Sequence, residues 1–259
     1  MLNFTKLDKD FIFLKDYFEK TEIQFCDYSV GECFIWREDF ITEYAIYNET
    51  LILKVSSKNF KNAFSFPIGK DIDGAINEIE NYVKENNLEL KFCYIDNFHA
   101  SILTNKYYLT EITSDRDWSD YIYDAESFKK FSGKKYSGQR NHINKFKKLY
   151  NTAVVKGIEK KDIEGIKEFL NNFESSNTLT TWSAISEDSR LREYLDNCFS
   201  LEQSGIAIYL DTKCIGFSIG EIVKDTLIVH VEKALKEYDG IYPFLANEFA
   251  KTFANENVK

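Results

Sequence analysis

Twice within 259 residues the chain sets three short β-forming runs in front of one amphipathic helix, an order that restricts it to the α+β class, with mixed sheets packed against helices. The first set is EYAIYN, TLILKVSS and NAFSFPIG, followed by DIDGAINEIENYVKENN, in which Ile72, Ala75, Ile76, Ile79, Tyr82 and Val83 share a helical face. The second is GIAIYLD, KCIGFSIGEIV and TLIVHVEKAL, followed by YPFLANEFAKTFANE, with Pro243 in the first turn of its helix. Ala45-Ile46-Tyr47 and Ala207-Ile208-Tyr209 occupy the same place in each set, so the two orders agree at residue level as well. The pattern predicts two domains, 1–120 and 121–259, with basic helices over 121–150 opening the second.

Other elements follow from spacing. Phe11, Leu14, Tyr17 and Phe18 predict a helix over residues 8–20, and LELKFCYID reads as a strand after the first helix. YDAESFKKFS and GKKYSGQRNHINKFKKLY read as a short and a longer helix, the longer one burying Tyr136, Ile143, Phe146 and Leu149. TAVVKGI is a strand and KKDIEGIKEFLNNFE a helix, and SSNTLTTWSAIS, residues 175–186, reads as an uncharged loop.

Charge is distributed unevenly. The formal net charge is -9, yet residues 127–158 hold nine Lys or Arg and no acid, leaving 24 bases against 42 acids elsewhere. Like charges repel and normally disperse, so such a stripe is either a solvated helix face paired with acids or a surface for an anion. At the junction of the two sets, its helix can line a cleft between them.

Several classes drop out. Two prolines, 22 Phe and 16 Tyr describe a folded chain with real cores rather than a disordered one. No apolar run is long enough to span a bilayer and the N-terminal stretch has no signal-peptide core, so cytoplasmic residence is expected. The five cysteines form no Cys-x-x-Cys pair and the three histidines are far apart, which leaves no metal-ligand spacing. Neither a Gly-x-x-x-x-Gly-Lys loop nor a Gly-x-Gly-x-x-Gly turn is present.

DYIYDAESFKKFSGKKYSGQRNHINKF (120–146), FPIGKD (66–71) and GFSIGEI with LIVHVEKAL (216–235) resemble the bacterial family built on the C-terminal catalytic domain of lysylphosphatidylglycerol synthetase, the phosphatidylglycerol lysyltransferase. The resemblance implies two GNAT-like acyltransferase domains in tandem, the second here lacking its C-terminal strands. It implies transfer of an activated acyl group, from aminoacyl-tRNA or acyl-coenzyme A, to a hydroxyl or amine, with no tightly bound cofactor and no metal. By family position, Lys134, Lys135, Arg140, Asn141 and Lys233 are substrate-binding and His230 and Glu232 catalytic. The last two stand two apart on a predicted strand, which places both side chains on one face. Asp239-Gly240 falls where GNAT proteins bind phosphate, but Pro243 and the scarcity of glycine make it a poor coenzyme A turn. The alternatives are a non-catalytic module for RNA or an anionic membrane surface, and a peptidoglycan-precursor aminoacyltransferase of the same fold.

Overall fold

A computed structural model describes residues 2–108, 110–176 and 182–259, with backbone alone for 174–176 and 182–189. Two compact units divide the chain, Met1–Tyr121 and Ile122–Lys259. Among the described residues no helix is long and apolar enough to cross a membrane.

In the first unit, β1 (Thr5–Lys6) precedes two short helices, α1 (Lys15–Phe18) and α2 (Val30–Ile35). Next come β2 (Ile41–Tyr47), β3 (Thr50–Ser56), β4 (Ala63–Phe64), β5 (Ile68–Gly69), α3 (Ile72–Glu85) and α4 (Asn97–Lys106). The antiparallel sheet runs β1-β2-β3-β4, with β5 also paired to β3. Asn48 and Glu49, both at positive φ, close the two-residue turn from β2 to β3. Asp71 caps α3 by accepting from the Gly74 N–H at 3.0 Å, and Ala75, Ile76, Ile79 and Val83 are buried as their spacing requires.

Three expectations change here, the first being that NAFSFPIG is not one strand but the two short strands β4 and β5. The helix over residues 8–20 shrinks to a 3-10 turn at Ile12–Leu14 and α1, although Phe11, Leu14 and Phe18 are buried as expected. Asp10, at φ 49°, bars an earlier helical start. LELKFCYID is not a strand: only Phe92 pairs, in an isolated parallel bridge to Phe64. β4 offers two residues to pair with, and Tyr94 at φ 56° turns the chain away before a ladder can extend.

A buried charge sits in this sheet. Lys54 on β3 pairs with its cross-strand neighbour Glu43 at 2.8 Å, donates to the Tyr82 hydroxyl at 3.1 Å and lies 4.6 Å from the centre of the Phe4 ring. Its side chain is 7% exposed and that of Glu43 32%, so truncating the lysine strands a carboxylate that water reaches only in part. Lys54→Ala is expected to cost the first unit about 2 kcal/mol in urea unfolding, and Lys54→Met, which keeps the packing over Phe4, less than that.

The second unit begins with α5 (Ala125–Lys130) and α6 (Ser137–Leu149), then β6 (Val154–Gly157), α7 (Ile163–Ser176) and α8 (Trp182–Asn197). It continues with β7 (Ser204–Leu210), β8 (Lys213–Val223), β9 (Thr226–Ala234) and α9 (Ile241–Phe253). The sheet order is β6-β7-β8-β9, all antiparallel, so β9 is an edge strand among the described residues. Residues 177–181 of the expected loop lie outside the described residues, and from Trp182 the chain is helical.

One sheet face, with Ile206, Ile208 and Ala234, packs on Ile143 and Phe146 of α6 and on Ile241, Phe244, Leu245 and Phe249 of α9. Phe146 stacks on Phe244 with centroids 4.6 Å apart. The opposite face carries Phe217, edge-on to Phe169 of α7 at 5.6 Å. Leu149, expected in the core, is 54% exposed because the face of α6 that meets the core holds Ile143 and Phe146, with Tyr150 next along it, and Leu149 falls to one side.

Candidate active site on the edge strand of the second unit

The site is built by the pairing of β8 with β9. Leu235 N–H donates to Ile215 O at 3.0 Å, and by antiparallel alternation the pairs Gly216–Ala234 and Ser218–Glu232 are then the close, non-hydrogen-bonded ones. The N–H groups of Glu232 and Ala234 therefore point to the open edge of the sheet. Ala234 N–H meets the Tyr242 hydroxyl, from the first turn of α9, at 3.3 Å. Glu232 shares the α9 face with Ser218 and Tyr242, and burial alone pushes its carboxyl up to about 7. Burial first, and the Glu232 charge among the lesser causes, raises the Tyr242 hydroxyl, so that side chain keeps its proton. Ser218 is wholly buried and its Oγ has no hydrogen-bond partner.

His230 does not join Glu232. Ile219 pairs with Val231 but Gly220 pairs with Val229, so His230 is the extra residue of a β-bulge. The bulge interrupts the alternation, and His230 turns to the α7–α8 face while Glu232 stays on the α9 face. There its Nε2 lies 2.9 Å from Glu221 Oε1 and its ring 6.4 Å from that of Tyr194. Gln203 completes the group, donating to Glu221 at 3.2 Å and accepting from the Tyr194 hydroxyl at 2.8 Å. The expectation that His230 and Glu232 share a face is thus overturned, and His230 with a fully buried side chain belongs to a polar network under α8. Lys233 is also on that far face, buried 5.3 Å from the Phe173 ring centre.

The cationic stripe divides in two. Lys129 and Lys130 pair with Glu126, Lys145 with Asp239, and Lys147 with Glu248. The Arg140 guanidinium donates to the carbonyls of Phe131 and Gly133, closing the turn between α5 and α6. Lys134, Lys135 and Asn141 are exposed, and Lys135 lies over the Tyr136 ring at 4.7 Å. Among the described residues neither Lys134 nor Lys148 forms an ion pair.

Gly240, at φ 86°, caps α9, and a Cβ there would come within 2.2 Å of the His142 carbonyl of α6. Asp239 beside it binds Lys145 and approaches His142 at 3.7 Å. The N-terminus of α9 is therefore covered by α6 and fronted by a carboxylate.

The phosphatidylglycerol lysyltransferase C-terminal family matches residues 18–259. The chain belongs to that family. No curated protein matches it. Among solved structures, a conserved protein of unknown function from Bacteroides thetaiotaomicron is 23% identical, with TM-score 0.86 over the whole of this chain and 88% of that one. The C-terminal domain of a lysylphosphatidylglycerol synthetase of Agrobacterium fabrum is 10% identical, with TM-score 0.58 over 96% of this chain and 76% of that one. At these identities the likeness is one of fold.

This lysyltransferase-family chain also holds titratable groups that its sequence does not advertise. In the first unit, burial and then the charges of Glu32 and Asp120 push the Asp27 carboxyl up to about 8, against a hydrogen bond from the Tyr94 side chain. Asp120 accepts from the Cys26 N–H at 2.9 Å, and burial raises the Cys93 thiol. No disulfide joins the five cysteines. Ser218, Tyr242 and Asp27 were all missed by sequence reasoning, because none lies in a charge run or a recognisable motif. The two-residue turn at Lys224-Asp225 was the one available signal for strand register, and the bulge displaces what it predicts.

Proposed function

We propose that the second unit transfers an activated aminoacyl group to a hydroxyl or amine acceptor, with Glu232 as proton acceptor. The observation that carries this reading is a carboxyl group raised to about 7 by burial alone, on an edge strand whose amides face outward. A base tuned near neutrality is ionised often enough to act and basic enough to take a proton. As the attacking oxygen or nitrogen bonds to the acyl carbon, its proton passes to the Glu232 carboxylate. The ester bond to the donor then breaks, and its electron pair leaves on the donor oxygen, which takes up the proton held by Glu232. The outward N–H of Glu232 and the Tyr242 hydroxyl, which accepts from Ala234 and so retains a proton to donate, are suited to the charge developing on the carbonyl oxygen.

The fold reading that goes with this is GNAT-like, since β6, α7, α8, β7, β8, β9 and α9 follow the strand and helix order of one such domain. Lysyl as the acyl group and an anionic phospholipid as the acceptor are the reading taken from the family, with a cytoplasmic site of action. A polyanionic donor of the transfer RNA type is favoured over acyl-coenzyme A. The helix end that would receive a pyrophosphate is fronted by Asp239 and closed by His142, whereas Lys134, Lys135 and Asn141 stand open to phosphates. His230 and Lys233 act from the other face as supports of the strand, and Arg140 as the clasp of the α5–α6 turn.

Incubation with a pool of labelled aminoacyl-tRNAs and cell extract tests the reading, and label is expected to move to a lipid or small acceptor. Lys134→Glu with Lys135→Glu is expected to weaken RNA binding at low salt and to lower its salt slope by about one for each phosphate that is no longer neutralised. Unchanged binding by that double variant would remove the turn that leads into α6 from the donor site.

A further inference from the structure

We propose that Ser218 is the positioning residue of Glu232, its hydroxyl turning across the strand pair to hold the carboxylate so that one oxygen stays aimed at the attacking group. The inference rests on the reading of Glu232 as proton acceptor and adds a residue to it.

Three observations meet at this point. Ser218 and Glu232 are a non-hydrogen-bonded cross-strand pair, the arrangement that brings side chains closest, with Cα atoms about 4.5 Å apart. Ser218 is 0% exposed with an Oγ that bonds to nothing, a state that buried hydroxyls in native proteins rarely keep without a role. Its other cross-strand neighbour is apolar, Ile206 on β7, and its same-face neighbours along β8 are Gly216 and Gly220. Glu232 is therefore the polar side chain within the ladder that this hydroxyl can serve.

The arrangement has a direction. A hydroxyl can donate to an ionised carboxylate or accept from a protonated one, and the charged bond is the stronger of the two. Ser218 therefore favours the ionised form, opposing the burial that favours the neutral one. It also fixes the rotamer, since a carboxylate anchored on one oxygen presents the other in a set direction. The bulge at His230 is what makes the pair: without it, the turn at Lys224-Asp225 would place Glu232 opposite Phe217.

The test reads the Glu232 carboxyl directly. With side-chain carbon-13 glutamate in the full chain, NMR titration of Ser218→Ala is expected to move the Glu232 midpoint up by about one pH unit, a roughly tenfold change in proton affinity. Ser218→Cys, nearly isosteric and a weaker donor, is expected to fall between. In transfer assays the pH midpoint of kcat should move with it, while KM for the donor stays unchanged. A Glu232 midpoint the same in all three proteins overturns the proposal, and so does a midpoint that moves without any shift in the kcat profile. The two readings fail separately. If Glu232→Gln retains transfer, the general base is misassigned whatever Ser218 does; if Glu232→Gln is inactive but Ser218→Ala leaves the midpoint in place, only the role of Ser218 is lost.

Discussion

Glu232→Gln is expected to lower transfer by about 10²- to 10⁴-fold while leaving polyanion binding intact, because the amide keeps the shape of the side chain and cannot take a proton. In the unmodified protein kcat should rise with pH to a plateau, with a midpoint near 7, the value to which burial lifts this carboxyl. The same shift has a stability consequence of definite sign. The folded state holds the Glu232 proton more tightly than the unfolded chain, whose glutamate titrates near 4.5. Stability is therefore full below about 4.5 and is lost as pH rises toward 7, by about 3 kcal/mol over the whole interval. Glu232→Gln has no proton to lose and should not show that decline. Asp27 is also raised, to about 8, but is common to both proteins, so urea midpoints of the two compared between pH 4.5 and 8 isolate Glu232. Transfer that survives the substitution would dismiss Glu232 as the base. Binding without turnover for any donor, in the unmodified protein too, would favour a polyanion-binding module.

Gly240→Ala should destabilise the second unit by about 3 kcal/mol or more. Two costs add at this position. The residue sits at φ 86°, where an L side chain is strained by about 1 kcal/mol or more. Its Cβ would also lie 2.2 Å from a backbone carbonyl, that of His142, and backbone in a packed helix yields only by moving the helix. Gly138→Ala is the control, since a Cβ there meets nothing within 4 Å and alanine is the better helix former in α6. Urea unfolding should find Gly138→Ala as stable as the parent or slightly more so. Equal midpoints for the two variants would mean that α6 is not clamped to the start of α9.

Much of this architecture is legible in the sequence because it depends on periodicity. The runs over Ile41–Tyr47, Thr50–Ser56, Ser204–Leu210, Lys213–Val223 and Thr226–Ala234 are strands, and the apolar stripe of α3 faces its sheet. The failures occur where one backbone angle decides. Asp10 and Tyr94 at positive φ cut short a helix and a strand whose side chains were correctly patterned, and side-chain pattern carries little information about such angles. Leu149 lies to one side of the α6 face that rests on the core, where Phe146 and Tyr150 pack instead.

The candidate site separates the two sources of information more sharply. Sequence alone was enough to select Glu232 as an acid on a strand, to mark a basic segment before the second sheet, and to show the family resemblance. It also placed His230 beside that acid, by counting two residues along a strand. One inserted residue in β9 reverses the count, sending His230 to Glu221, to which Gln203 also donates, and leaving Glu232 opposite Ser218. Likewise the nine bases were plain to read, but which of them remain open to an anion was not. Glu126 claims Lys129 and Lys130 at helical spacing, but Asp239 and Glu248 claim Lys145 and Lys147 from far along the chain, and those two pairings do not follow from local order. Residue types and their spacing are properties of the chain. The face a side chain occupies, and whether its charge is already met, depend on register and on packing between residues up to about a hundred positions apart, which only the folded structure fixes.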